Sequence, residues 1–306
     1  MKQIIKIASP FERVINTLLK IKDDFHTYNT QLQILSEQEV IEQYQLSSND
    51  ALKAGLIDAN ISNNFHTMQG YNNIYQNSTT PQKLLVMVNP LFHPKYGLFI
   101  HKNNTLGIKT LEDVKKHKHL RILFAPFNEF HIAPCDLSRS LFLLKKLKLI
   151  NIPEEKIKTK GFGLNLMDIE NIYDLQFMKT SHLLHISQKF QNQQKYDLAI
   201  NCPGMMRHDN FIRIGSIGEG PDYNIEPKED VFLSYAVILA TTKEKEKDPK
   251  IAILQKVLNS LNYKKHQFAY GGITQDYIMV EDPIALKKKI EDKFLHKIQQ
   301  SSSCHL

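Results

Sequence analysis

The feature that most constrains this chain is a regular switching, over its first hundred residues, between short apolar segments and stretches with helical spacing. Residues 3 to 8 read as a strand that Ser9-Pro10 breaks, and Phe11, Val14, Leu18 and Ile21 then recur every three or four positions, the mark of an amphipathic helix. A second strand over Gln31 to Leu35 is followed by a polar helix starting near Ser36. Asn49 or Asp50 can cap a short helix through Leu52 that Gly55 stops, and Leu56 to Asn60 reads as strand again. Strands alternating with helices predict a parallel α/β sheet.

The alternation continues. Leu84 to Val88 and Leu98 to Ile100 are strand candidates around a loop holding Pro90, Pro94 and Gly97. Thr110 starts a capped helix, and Leu120 to Ala125 is a strand ended by Pro126. Asp136 or Ser138 can cap a helix whose apolar face is Leu137, Leu141, Leu144 and Leu147. Leu198 to Asn201 is a short strand stopped by Pro203-Gly204. Val231 to Thr241 is the longest strand-like run, before a helix over Ile251 to Leu261. Pro283 suits the first turn of a terminal helix, and a frayed tail is expected from Ser301.

A chain of 306 residues exceeds one small core and suits two α/β lobes. The net charge of +7 is spread along the chain, with its densest stretch at Lys287 to Lys289, so no nucleic-acid partner is expected. Cys135, Cys202 and Cys304 lie far apart without CxxC spacing, which disfavours zinc sites and redox pairs. No apolar stretch approaches the roughly 20 residues of a membrane span. HExxH, GxSxG, Walker and GxGxxG patterns are missing, and Gly161-Phe162-Gly163 is a lone GxG. No catalytic pattern stands out and no metal or cofactor is expected; the resemblance given next implies a binding protein and not an enzyme.

Several short matches share an order along most of the chain. They are Ala51 to Asn60; Asn64-Phe65-His66 with Gly70-Tyr71; Arg139 to Leu144 running on to Leu149-Ile150; Asp168 to Asn171; Leu175 to Phe177; Asp197 to Asn201; Ser234-Tyr235-Ala236; and Gly271-Gly272-Ile273. Together they resemble the NlpA family of substrate-binding lipoproteins, the methionine-binding MetQ-like proteins. The sequence departs from that pattern where His66 stands in place of a second aromatic and Met68 in place of a histidine.

The resemblance implies a two-lobed periplasmic-binding-protein fold of type II, with mixed sheets, helices on both sheet faces and two crossover strands near residues 89–97 and 202–232. Lobe one would comprise residues 1–92 and 232–306, and lobe two residues 93–231. An amino-acid ligand, methionine or a relative, would lie in the cleft, and an ABC permease would be the partner of a monomer. The implied ligand-binding residues are Asn64, Phe65, His66, Met68, Tyr71, Arg139, Asn201 and Tyr235.

Physical chemistry fits these assignments unevenly. Arginine grips a carboxylate through two parallel hydrogen bonds, although periodicity alone reads Arg139 as a surface residue on the polar side of its helix. Asn201 ends an apolar strand, where ligands of α/β sheets gather, or it satisfies turn backbone. Phe65, His66, Met68 and Tyr71 offer the sulfur–aromatic contacts a thioether favours, and equally suit an ordinary core. The family role requires export, yet no signal peptide opens the chain and no cysteine precedes Cys135 to carry a lipid. A missing export signal and a cytoplasmic sensor or enzyme using His66 both remain open at this stage.

Overall fold

The computed structural model describes residues 2–75, 80–124, 134–160, 163–180, 183–206, 208–217, 235–271 and 277–302. The chain divides into two compact units: one formed by Met1–His93 with Phe232–Leu306, the other by Pro94–Val231.

The first unit is built on a six-stranded mixed sheet in the order β11-β4-β10-β3-β1-β2. Its elements run β1 (Gln3–Ser9), α1 (Glu12–Ile21), β2 (Thr30–Ser36), α2 (Glu37–Tyr44), α3 (Ser48–Lys53), β3 (Ala59–Asn60), α4 (Phe65–Tyr75) and β4 (Leu85–Pro94). β1 pairs in parallel with β2 and β3, while β10 runs antiparallel to β3 and β4. The alternation read from the sequence thus yields parallel strands in this half of the sheet.

The second unit holds β5 (Tyr96–His101), α5 (Leu111–Val114), β6 (Arg121–Phe124), α6 (Pro134–Lys146), α7 (Glu154–Lys160), β7 (Gln176–Lys179), α8 (Leu184–Phe190), β8 (Leu198–Asn201) and β9 (Phe211–Ile217). Its five strands are ordered β7-β6-β8-β5-β9. β6 is parallel to β7 and β8, and β5 is antiparallel to β8 and β9. The chain returns to the first unit with β10 (Val237–Thr242), α9 (Pro249–Leu258), α10 (Leu261–Gly271), β11 (Tyr277–Met279) and α11 (Pro283–Ser302).

Both faces of the first sheet are covered. Ile5 and Ile7 of β1 pack with Val14, Leu18 and Ile21 of α1 and Leu254 of α9, whereas Ala8 joins Leu52, Phe65, Met68 and Ile290. Neighbouring residues of one strand thereby feed opposite cores, as the two-residue period of a strand dictates. Local polar bonds fix the helix starts. Ser36 and Glu39 form a reciprocal capping box on α2, and Thr110 and Asp113 do the same on α5. Asp248 caps α9.

Several boundaries differ from the sequence reading. Ser47, not Asn49 or Asp50, caps α3 by accepting the Asp50 N–H, and Gly55 follows at φ +76°, a conformation glycine adopts freely. The expected strand 56–60 shrinks to Ala59–Asn60. Pro90 and Pro94 lie within β4 rather than in a loop, with pairing irregularities against β10 beside Pro90; a bulged pairing tolerates a residue without an N–H. α6 starts at Pro134, so neither Asp136 nor Ser138 is its cap.

The returning strand spans Val237–Thr242, and residues 231–234 of the expected run lie outside the described residues, as do Ala125 and Pro126. The helix expected over 251–261 is α9, which ends at Leu258, a further helix α10 begins at Leu261, and α11 includes Ser301 and Ser302. Because Leu18 is fully buried in this core, Leu18→Ala should cost about 3 kcal/mol of unfolding free energy. Urea denaturation checks this, and a loss under about 1 kcal/mol would contradict the packing.

Candidate functional site

In the first unit, the segment after β3 forms the helix α4. Asn64 starts it: its carboxamide oxygen accepts the Thr67 N–H at 2.9 Å and the Thr67 hydroxyl at 3.2 Å, an N-cap geometry. Phe65 and Met68 lie three positions apart on α4 and are 2% and 1% exposed in the core. Asn72 ties the helix to β4, bonding both the N–H and the carbonyl of Leu85 at 2.9 and 2.8 Å.

His66 sits among aromatic rings. Phe65 lies 5.4 Å away, Tyr235 6.3 Å and Phe294 of α11 4.9 Å, all edge-on. Burial lowers its imidazole from an ordinary 6.5 to about 3, so it is neutral at physiological pH. Tyr71 is engaged elsewhere: its hydroxyl donates to the Asp50 carboxylate at 2.7 Å and its ring lies 4.7 Å from Tyr75. Burial and Asp50 together hold that phenol above its usual range.

The second unit gathers a charged group on α6. Arg139 is 6% exposed. Its guanidinium donates to the Pro94 carbonyl and lies 4.5 Å over the Tyr96 ring, a cation–π geometry. Tyr96 is buried, with its hydroxyl 3.2 Å from that of Ser140. Asp136, one turn before Arg139, has its carboxyl pushed up to about 6 by burial, against the pull of Arg139. Asn201 is fully buried at the end of β8. It donates to the Leu183 carbonyl at 3.0 Å and accepts the Cys202 N–H at 2.8 Å.

The structure therefore brings Phe65, His66 and Tyr235 together in the first unit. It places Arg139 with Tyr96 and Asp136 in the second. Asn64 caps a helix, Phe65 and Met68 pack in the core, and Tyr71 joins α4 to α3. Phe294, Tyr96 and Asp136 escaped the sequence reading. So did a cluster in which the Asn49 carboxamide oxygen accepts from Asn60 at 2.7 Å and Asn63 at 2.8 Å. The sequence signal for that cluster is the three asparagines, Asn60, Asn63 and Asn64, within five residues. Among the described residues, no group of three or more His, Cys, Asp or Glu could hold a metal ion, and no helix is long and apolar enough to cross a membrane.

No protein-family model matches the chain, and no curated protein matches it by sequence. Solved structures do match it in fold. A YaeC-family lipoprotein from Enterococcus faecalis is 16% identical with a TM-score of 0.64, over 91% of this chain and 99% of that one. A candidate methionine-binding lipoprotein from Bacillus subtilis is 18% identical with a TM-score of 0.64, over 92% and 99%. An ABC-transporter periplasmic substrate-binding protein from Coxiella burnetii is 16% identical with a TM-score of 0.61, over 90% and 100%. The chain has the fold of periplasmic-binding-type lipoproteins, and the resemblance read from its sequence holds at that level.

The environment of His66 has a thermodynamic consequence. The unfolded chain takes up a proton near pH 6.5 and the folded one only near 3, so His66 weakens the fold as pH falls between those values. Replacing it by phenylalanine should flatten the decline. Urea midpoints of wild type and His66→Phe between pH 7.5 and 4.5 measure this, and parallel declines would contradict the buried neutral imidazole.

Proposed function

We propose that this chain is a solute-binding protein that captures a small amino acid, methionine or a close relative, for delivery to an ABC-type importer. The observation that carries the reading is Arg139: a guanidinium held in the second unit by the Pro94 carbonyl and the Tyr96 face. Such a group is costly to bury and suited to a ligand carboxylate. The likeness to substrate-binding lipoproteins supports the solute-binding role, and one neighbour's description supports methionine. In this reading the protein works outside the cytoplasm, at the membrane that holds its permease, and difference in shape between loaded and empty forms is what a permease reads. We advance no catalytic reading, because an imidazole held near 3 is a weak base at neutral pH.

Calorimetry with a panel of amino acids and dipeptides should find a ligand, with methionine first. Arg139→Ala should weaken it by about 2 kcal/mol, or roughly 30-fold, as a buried carboxylate loses its charged partner. Native mass spectrometry of the freshly purified protein should detect the retained small molecule. Unchanged affinity in the variant would remove Arg139 from the site, and a panel without any ligand would remove the reading.

A further inference from the structure

Tyr96 combines three features that packing alone does not call for. It is completely buried at the start of β5. The Arg139 guanidinium lies 4.5 Å over its ring. Its hydroxyl is 3.2 Å from that of Ser140, the residue that follows Arg139 on α6. The direction of that bond follows from its neighbour. Ser140 directs its one proton to the Asp136 carbonyl at 2.9 Å, so the tyrosine donates and the serine accepts. The ring is thereby tied to the helix that carries the guanidinium, and turning it away would break a buried hydrogen bond.

A ring and a carbonyl do different things for a buried cation. The Pro94 carbonyl accepts a hydrogen bond from Arg139 and so occupies a donor. An aromatic face attracts the cation through its quadrupole and occupies none. A guanidinium carries five N–H donors in one plane, and it grips a carboxylate well only when two parallel donors point at the two oxygens. A ring that steadies the charge without taking a donor suits that requirement. An aliphatic side chain of similar size would leave the charge without that support.

We propose that Tyr96 is a positioning residue for carboxylate recognition: it holds the Arg139 guanidinium in the orientation that receives the ligand. Being completely buried, it acts through Arg139. This rests on the solute-binding reading above and adds how its anchor is aimed.

Calorimetry at pH 7.5 with methionine and with methioninol separates aiming from packing, because methioninol keeps the ammonium and side chain but has an alcohol in place of the carboxylate. Wild type should prefer methionine by about 30-fold, the effect expected of the Arg139–carboxylate bond. Tyr96→Leu should bind methionine about 10-fold more weakly than wild type, and methioninol to within about 2-fold. Tyr96→Phe keeps the ring and should bring methionine binding back to within about 3-fold. In an Arg139→Ala background, Tyr96→Leu should change methionine affinity by less than about 2-fold, since no guanidinium is left to aim. Where leucine unsettles the fold, 3,4,5-trifluorophenylalanine at position 96 keeps the ring's shape and weakens its negative face. Methionine affinity should then fall about 10-fold below that of Tyr96→Phe, with methioninol unmoved.

An equal loss of both ligands in Tyr96→Leu, or no loss of either, overturns the positioning role and leaves the solute-binding reading standing. So does a Tyr96→Leu effect that persists undiminished without Arg139. Equal binding of both compounds by wild type removes Arg139 as carboxylate anchor and Tyr96 with it, and binding of neither removes the solute-binding reading as well.

Discussion

A guanidinium that is 6% exposed sets terms for everything around it. Arginine cannot shed its proton inside a protein, so Arg139 must find acceptors or a polarisable surface where it lies. It finds the Pro94 carbonyl and the Tyr96 ring, both on the strand path that opens the second unit. Tyr96 in turn is held by Ser140, the residue after Arg139. α6 and β5 are thus joined by one short circuit of charge, ring and hydroxyl. Leu141, Leu143 and Leu144 of the same helix are fully buried, so the apolar packing that holds α6 in place also fixes the angle of the guanidinium.

How much of this was legible depends on the range of the interaction. β1, α1, β2, α2 and β8 were legible because their signals are local: a period of two or of three to four, and a cap within three residues. α4 was not. Its sequence FHTMQGYNNIY carries a glycine, three polar amides and no clean apolar stripe, and the helix is secured instead by the Asn64 cap and by Asn72 bonding β4. The α3 cap was misplaced because Ser47, Asn49 and Asp50 all suit the role, and only the main-chain path decides among them. Pro90 read as a loop because proline lacks a ladder donor, yet the irregular pairing beside it absorbs that loss.

The candidate site divides the same way. Arg139 and Asn201 stand out in sequence only through a resemblance, since a single arginine on a helix is ordinarily a surface residue. Their partners are invisible to any local pattern. Phe294 reaches His66 from the far end of the chain, and Tyr96 meets Arg139 from a different element. Of the group expected as one mixed cluster, Phe65, Met68 and Tyr71 pack on one core, and His66 lies edge-on to Phe65. Phe65 and Met68, three apart, share the core, and Tyr71 turns to Asp50. The three-residue spacing of Phe65, Met68 and Tyr71 turns them toward that core, which is the ordinary-core alternative of the sequence reading.

Chains only 16–18% identical to this one share its fold, and the physical reason bears on what the fold can say about the ligand. A core asks for apolar side chains of suitable volume, and many combinations meet that demand. A binding site asks for particular atoms at particular places. Fold likeness therefore constrains architecture strongly and ligand weakly. The discriminating chemistry lies in a few side chains. A neutral imidazole among Phe65, Tyr235 and Phe294 makes an environment poor in charge, and charge is concentrated on α6. A ligand group that met these rings would have to be uncharged, because burial there already keeps His66 uncharged.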